Sequence, residues 1–387
     1  MTGSLPRVLW IDTTGWYGGA CRSMIEIVSR LHRSGKVEVA VALPEGPIYD
    51  KLRTIGIEVL PLSRVRPMHP KFSHPFITLR WPVDLEWAQS EVGEIANSWK
   101  PDIVHANSWA AAMAVPKGIP CIWHVRDYPK HPLPLNLAAK RAKRIIAISP
   151  AVETRLNELL SPALRGKIVR IDNGIDFAHT EEPLSKDEAR KALGLPGKGI
   201  VIGMAAYYAP WKRHDLFLET ARLFSDPKAP VPGPKAIWAI AGDDNHHEQP
   251  AYAAKIRKLA DSLGDRVRLL GHLPPGHFLP AIDLLVHPAQ NEPFGRIICE
   301  AMAFGVPVVA HDSGGPASIL GHGDCGRLVD EDTPKAFARA ITETFQEPPQ
   351  KRRARIQKAK MVVERDYNIE RVVETLKAHY AEWTART

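Results

Sequence analysis

Cysteine is scarce in this chain of 387 residues: Cys21, Cys121, Cys299 and Cys325 lie far apart and never form a Cys-x-x-Cys pair. Neither a disulfide framework nor a zinc site is expected from them. Each lies in or beside an apolar run, which reads as a buried, reduced thiol in a cytosolic protein. No run approaches the roughly 18 to 20 apolar residues of a membrane span. Met1 to Trp10 lacks a charged segment followed by a long apolar one, so no signal peptide is expected either. Short-period repeats are missing, which sets solenoids aside. A nucleic-acid reading module is missing too, and no nucleic-acid partner is expected.

What is present is globular. The chain is 44% hydrophobic and 24% charged, too apolar for a disordered chain, and its length suits two or three domains. Lys and Arg outnumber Asp and Glu by 51 to 43, and the excess is unevenly placed. Residues 1–176 carry 23 basic and 16 acidic side chains and the remainder 28 and 27, so the two parts are +7 and +1. That asymmetry points to an anionic partner on the first half.

Short apolar runs alternate with polar turns and helical periods, the pattern of parallel sheets wrapped by helices. Strands are expected at Val8 to Ile11, Val37 to Leu43, Val59 to Leu62, Ile103 to Ala106, Cys121 to Val125, Arg144 to Ile148 and Lys167 to Ile171. The pattern restarts with Ile200 to Ala205, Ala236 to Ala241, Val267 to Leu270, Leu284 to His287 and Pro307 to Ala310. Helices are expected at Ala20 to Arg33, Trp87 to Trp99, Trp211 to Phe224, Tyr252 to Leu263 and Gly295 to Phe304. The fold class is therefore α/β, with two doubly wound Rossmann-like domains in series that should face each other across a cleft. The expected division is 1–176 and 177–365. A terminal helix within 366–387 has either domain to pack on, a return to the first being one of the two placements.

Ligands bind at the carboxyl ends of such sheets, so motifs there carry most weight. Gly15, Gly18 and Gly19 stand between the first strand and first helix, where glycine lets backbone amides approach a phosphate or a sugar. The spacing is not that of a dinucleotide fold. A tight turn is the plainer reading. Late in the second domain, Glu292 follows a strand, and Phe294, Gly295 and Arg296 open a helix whose dipole favours an anion. Glu292 alone could be a helix cap. Glu300, among Ile298, Cys299, Ala301 and Met302, is a carboxylate in an apolar stretch and must be paired.

The run Glu292-Pro-Phe-Gly, Glu300-Ala-Met-Ala, Gly305-Val-Pro-Val-Val-Ala310 and Gly314-Gly315 resembles the E-x7-E signature of family 4 of the retaining GT-B glycosyltransferases. Other points of likeness follow in order along the chain: Gly18-Gly19, His124, Asn173-Gly174-Ile175-Asp176, Lys212 and Ala241-Gly242-Asp243. The resemblance implies a GT-B fold and transfer of a hexose-type sugar from a nucleotide diphosphate, a UDP-sugar before GDP-mannose, to an acceptor hydroxyl by a same-face mechanism. It implies that Glu292 meets donor-sugar hydroxyls, that Glu300 holds the ribose, and that Phe294, Gly295 and Gly19 meet sugar and diphosphate. Lys212 would neutralise the leaving diphosphate, and His124 would approach the reacting carbon.

Asp243-Asp244 is adjacent rather than spaced as D-x-D, so neither a catalytic metal nor a bound cofactor is expected. Where the family usually has an Arg five residues before its Lys, this chain has Tyr207. A tyrosine brings a hydroxyl but no charge, which leaves Arg213, Arg126 and Arg296 as compensating cations.

In such enzymes the first domain receives the acceptor, so the +7 half is the acceptor half. His105, Arg126 and Asp127 are its candidate contacts. Lys140 to Arg144 is basic, and the proline-rich stretch Arg64 to Arg80 reads as a loop for an acceptor or for an anionic membrane surface rather than a helix. An anionic, phosphorylated or lipid-linked acceptor is expected, at a cytoplasmic location with peripheral contact on the cytoplasmic membrane face. A UDP-sugar epimerase of the same fold and a catalytically silent partner subunit are the rival readings.

Overall fold

A computed structural model describes residues 5–15, 18–64, 75–177, 184–224, 236–244 and 249–384, with the side chains of 75–81 outside the description. Thirteen strands form two sheets among these residues. In the first sheet they are β1 (Arg7–Ile11), β2 (Glu38–Leu43), β3 (Glu58–Pro61), β4 (Ile103–Ala106), β5 (Cys121–Val125), β6 (Arg144–Ala147) and β7 (Ile168–Arg170). In the second they are β8 (Val201–Ala205), β9 (Ile237–Ala241), β10 (Val267–Leu269), β11 (Leu284–His287), β12 (Val308–His311) and β13 (Arg327–Val329). The spatial orders are β3-β2-β1-β4-β5-β6-β7 and β10-β9-β8-β11-β12-β13. All pairings between these strands are parallel.

The chain divides into two units. Unit 1 is Met1–Gly174 with Ile369–Thr387, and unit 2 is Ile175–Asn368. Both sheets reverse their winding after a first strand, between β1 and β4 in unit 1 and between β8 and β11 in unit 2. In open α/β sheets that reversal opens a crevice at the carboxyl ends of the two strands. The loops after β1, β4, β8 and β11 are therefore where chemistry is expected.

The strands are apolar because helices cover both faces. Trp10 and Trp123 in unit 1 and Trp238 in unit 2 are almost wholly buried. The helix Ile369–Thr384 belongs to unit 1. It buries Ile369, Val372, Val373, Leu376, Tyr380 and Trp383 in one cluster with Met24, Ile27, Val28 and Leu31 of the helix Gly19–Ser34. Six such side chains contribute on the order of 10 kcal/mol of apolar transfer free energy. Arg30 pairs with Glu370 at 2.6 Å, and Lys143 Nζ donates to the Trp383 carbonyl at 2.7 Å.

Some expectations change. Residues 65–74 lie outside the description, but 75–80, read as loop, begin a helix that runs Pro75–Trp99. Proline is tolerated at a helix start, and Pro82 is carried inside. The helix expected from Trp211 breaks instead at Arg213, whose φ of 59° separates a short 3-10 turn, Pro210–Lys212, from the helix His214–Leu223. The short edge strand β13 was not expected; it has three residues and starts on Arg327. The basic run Lys140 to Arg144 is partly turned inward, since Arg141 donates to the Val115 carbonyl and Lys143 to that of Trp383.

Candidate active site

In unit 2 the site grows from the loops after β8 and β11. The β8 loop carries Tyr207, Trp211 and Lys212; the β11 loop carries Glu292. Their side chains meet: Lys212 Nζ lies 2.5 Å from Glu292 Oε2. His287, the last residue of β11, places Nε2 3.0 Å from the same oxygen. All three residues are at most 8% exposed. Burial pushes the Glu292 pKa up, but the Lys212 charge and the His287 hydrogen bond outweigh it and bring it down to about 2. Burial holds His287 below its ordinary value, although Glu292 pulls the other way. At neutral pH the cluster is an ionised carboxylate, an ammonium and a neutral imidazole.

The cap reading of Glu292 is corrected by this arrangement, because its side chain turns to Lys212 and His287. Its backbone is held as firmly. Gly315 N donates to the Glu292 carbonyl at 2.7 Å. Gly314 has φ +74°, and a Cβ there would stand 2.2 Å from that carbonyl oxygen. A Cβ on Gly315 would stand 2.1 Å from the Phe294 carbonyl oxygen. Gly314-Gly315 is thus a pair of close backbone approaches that fixes the Glu292 loop.

The helix Arg296–Phe304 follows at once. Gly295 caps it at φ 108° without a side-chain cap, and no acidic residue occupies the first turn. Its opening amides are therefore presented to an anion. Glu300, in the second turn, is 3% exposed, and Arg296 Nη2 approaches its Oε1 at 3.8 Å. Phe294 is buried against the edge of Tyr367.

The cations proposed to replace the missing Arg are already engaged. Arg213 pairs with Asp332 and Asp215, Arg296 with Glu300. Tyr207 is 42% exposed and meets Trp211 edge-on at 6.1 Å between ring centroids. Lys212 Nζ sits 4.0 Å from the Trp211 ring centroid and 5.7 Å from that of Tyr207. An aromatic pair stands beside Lys212 at the place the resemblance assigns to a second cation.

In unit 1 the strand ends carry a buried polar network. Asp12 after β1 accepts from Asn107 Nδ2 after β4 at 2.6 Å. Asn107 Oδ1 accepts from Arg126 Nε after β5 at 2.9 Å. Asn173, beyond β7, accepts from Arg126 Nη1 at 3.1 Å and from Ser23 Oγ at 2.6 Å. Asp12 also holds its own loop through the amide and hydroxyl of Thr14. Arg126 is therefore 6% exposed and woven into the fold. Asp127, the next residue, is exposed.

The glycines of the first loop divide by role. A Cβ on Gly15 would stand 2.9 Å from the Pro44 carbonyl oxygen, so this glycine serves packing. Gly18 has nothing within 4 Å of that position. It caps the helix Gly19–Ser34 with no acid in the first turn, so among the described residues no side-chain cap takes those amides.

His124, on β5, is 1% exposed; His105, on β4, is wholly buried. His105 was read as an acceptor contact, and that is corrected. It stacks under Trp10 and bonds His124 and Tyr380. Sequence reasoning missed His287, Trp211, Asp12 and Tyr380 as site members. The available signal was a polar residue ending or following an apolar strand, as His287 ends Leu284–Val286 and Asp12 follows β1.

Among the described residues no group of three or more His, Cys, Asp or Glu is placed to hold a metal ion. None of the helices there is long and apolar enough to cross a membrane.

Family comparisons cover both units. The model described as Glycosyltransferase Family 4 matches residues 17–179, and that described as Glycosyl transferases group 1 matches 185–362. The D-inositol 3-phosphate glycosyltransferase of Mycolicibacterium smegmatis is 30% identical over 278 residues, 68% of this chain and 59% of that protein. The protein of the same name from Mycolicibacterium gilvum is 28% identical over 269 residues, 68% of this chain and 58% of its own length. This chain thus spans less than two thirds of those relatives. Among solved structures, Anabaena Alr3699/HepE in complex with UDP-glucose superposes with a TM-score of 0.78 at 23% identity over 97% of this chain and 99% of that one. A glycosyltransferase from Rickettsia africae gives 0.79 at 19% identity, with 100% of both chains covered. The fold is that of the GT-B glycosyltransferases.

Proposed function

The chain belongs to glycosyltransferase family 4, and from that premise we propose that it is a retaining, metal-independent transferase of a hexose-type sugar from a UDP-sugar to an acceptor hydroxyl. The observation that carries this reading is the Lys212–Glu292–His287 cluster at the reversal point of the second sheet, with Glu300 buried in the helix that follows. Glu292 orients donor-sugar hydroxyls, and Glu300 holds the ribose. The open amides at Phe294 and Gly295, and those at Gly18 and Gly19, meet sugar and diphosphate. Lys212 receives the charge of the leaving diphosphate, the work a metal does in other transferases. The UDP choice is supported by the UDP-glucose in the HepE complex.

Retention follows from displacement on one face. The bond from the anomeric carbon to the diphosphate oxygen breaks, the acceptor oxygen bonds on the same face, and the acceptor proton passes to the departing phosphate oxygen. Glu292, ionised and paired, stabilises developing charge instead of attacking. The acceptor is anionic or phosphorylated; the +7 charge of residues 1–176 and the phosphorylated compound in the name of the mycobacterial relatives support this. The same charge, with Leu133 72% exposed and Trp87 49% exposed on unit 1, supports peripheral contact with the cytoplasmic membrane face.

The test is calorimetry with UDP beside a turnover assay on a panel of sugar nucleotides, hydrolysis included. Glu300→Ala should weaken UDP binding; unchanged affinity would sink the assignment. Release of ManNAc from UDP-GlcNAc without an acceptor would establish the epimerase instead. Absence of turnover with every donor would leave the silent subunit, the reading that Tyr207 favours.

A further inference from the structure

Unit 1 contains a chain of three buried polar side chains whose order follows from the sheet. Trp10 on β1 is the register partner of His105 on β4, and His105 is the partner of Ile122 on β5. His124, two residues beyond Ile122, points to the same face. The Trp10 and His105 rings stack at 3.6 Å and 9°, which fixes the plane of the imidazole. His105 Nε2 then lies 2.9 Å from His124 Nδ1. From the other side, the helix Ile369–Thr384 brings the Tyr380 hydroxyl to 2.7 Å from His105 Nδ1. All three residues are at most 1% exposed. His124 Nε2, at the far end, is buried without a hydrogen-bond partner among the described residues.

The direction of this chain follows from counting protons. Tyr380 has one hydroxyl proton, and among the described residues its acceptor is His105 Nδ1. The other polar group facing the phenol is the Trp10 indole N–H, a donor only. Either direction leaves one proton unpaired among the described residues: accepting from His105 would strand the phenol's own proton between His105 and the Trp10 N–H, whereas donating moves the unpaired proton to His124 Nε2, the far end of the chain, where a ligand oxygen can take it. Tyr380 therefore donates. Burial, and secondly the Arg126 charge, keep His105 well below its ordinary pKa and hence neutral. With Nδ1 accepting, its single proton sits on Nε2 and is donated to His124 Nδ1. His124 is neutral for the same reasons, so its proton sits on Nε2.

We propose that Tyr380 and His105 are positioning residues that lock His124 in the Nε2–H tautomer, so that it serves the sugar substrate as a neutral hydrogen-bond donor to oxygen and not as a base. The substrate-facing part rests on the glycosyltransferase reading above; the tautomer lock does not. It also gives the C-terminal helix a task in the site beyond packing, since its Tyr380 sets the state of a side chain 256 positions earlier in the chain.

The test uses the full-length protein labelled with 15N-histidine, with signals assigned by their loss in His105→Asn and His124→Asn variants. Long-range 1H–15N spectra of the unliganded protein should show both histidines protonated at Nε2 and bare at Nδ1. Tyr380→Phe keeps the ring packing and should mix the tautomers of both. His124 protonated at Nδ1 in the native protein, or tautomers unmoved by Tyr380→Phe, overturns the lock. If Tyr380→Phe does not fold, His105 variants decide. The amide of His105→Gln can accept from Tyr380 and donate to His124, so it should keep turnover near the native level, whereas His105→Leu should lose about tenfold or more, the worth of one hydrogen bond. Where the native protein turns over, equal activity in the two variants overturns the proposal. Correct tautomers with no turnover on any donor would instead reject the glycosyltransferase reading and leave the lock standing.

Discussion

Lys212 Nζ and Glu292 Oε2 stand 2.5 Å apart although 80 positions separate them in sequence. They meet because β8 and β11 are neighbours at the point where the second sheet reverses, and each residue comes from the loop that leaves one of those strands. The pair is buried, so each charge depends on the other for compensation. Removing either alone strands a charge in a low-dielectric setting, which costs about 3–5 kcal/mol. Lys212→Met and Glu292→Gln should each lower the urea midpoint strongly, and the double variant should cost clearly less than the two added together. Strict additivity in the urea titrations would show that the two side chains act independently.

Lys212→Met should also slow turnover. A preorganised charge that stabilises a leaving group is worth about 2.7–4 kcal/mol of barrier, or 100- to 1000-fold in kcat. Turnover of UDP-glucose by the purified variant checks this at substrate saturation, and a near-native rate would remove Lys212 from the reaction.

Gly314 and Gly18 should respond oppositely to alanine. At Gly314 the φ of +74° and the 2.2 Å approach to the Glu292 carbonyl leave no room for a Cβ. With ψ at −143° the backbone alone costs about 1–3 kcal/mol for any other residue, and the clash displaces the Glu292 loop, so both stability and turnover should fall. At Gly18 the backbone is extended, φ −158°, with nothing near. Gly18→Ala should change the melting temperature little, while a weaker UDP affinity in calorimetry would mark this loop as a donor contact.

Much of this was legible in the sequence because parallel strands covered on both faces read as unbroken apolar runs, as Leu284–Val286 does. The reversal points then say which loops matter, and Glu300 announces itself as a carboxylate where an apolar residue would pack better, while Glu292 stands out through the resemblance. What stayed hidden depends on contacts between distant segments. Nothing near His287 shows that it orients Glu292, and nothing near Tyr380 shows that its hydroxyl meets His105. Nor does anything near Arg213 show that it pairs with Asp332, 119 residues away. The helix from Pro75 was hidden by its prolines, since a proline that begins a helix looks the same in sequence as one that prevents it.

Tyr207 offers a gain-of-function test. It occupies the place of an expected cation beside Lys212, with Trp211 between solvent-exposed and buried parts of the loop. Tyr207→Arg should add a charge-assisted hydrogen bond to the diphosphate, worth about 1.5 kcal/mol or roughly tenfold in UDP affinity. The gain should shrink as salt rises, because the position is partly exposed. Calorimetry at two ionic strengths checks both statements; an unchanged affinity at low salt would place Tyr207 away from the diphosphate.

Acid should weaken the fold earlier than its carboxylates alone would. His105, His124, His214 and His287 are all held below the ordinary imidazole value, chiefly by burial, and His214 falls to about 4. Below an unfolded pKa near 6.5 the unfolded chain binds protons that the native state refuses, so stability falls as pH falls. For His214 the window runs from about 6.5 to about 4, and each pH unit inside it costs about 1.4 kcal/mol, about 3 kcal/mol in all. Glu292 opens a second window: its folded pKa of about 2 lies below the ordinary carboxylate value, so its contribution is complete above roughly 4.5 and is lost toward 2. Urea midpoints measured from pH 8 to pH 5 should therefore already decline, well above the window in which Glu292 takes up its proton. His214→Asn removes one of the refused protons, and the slope of unit 2's unfolding free energy between pH 6 and pH 5 should drop by about 1.4 kcal/mol per pH unit. An unchanged slope would mean that His214 accepts its proton in the folded state.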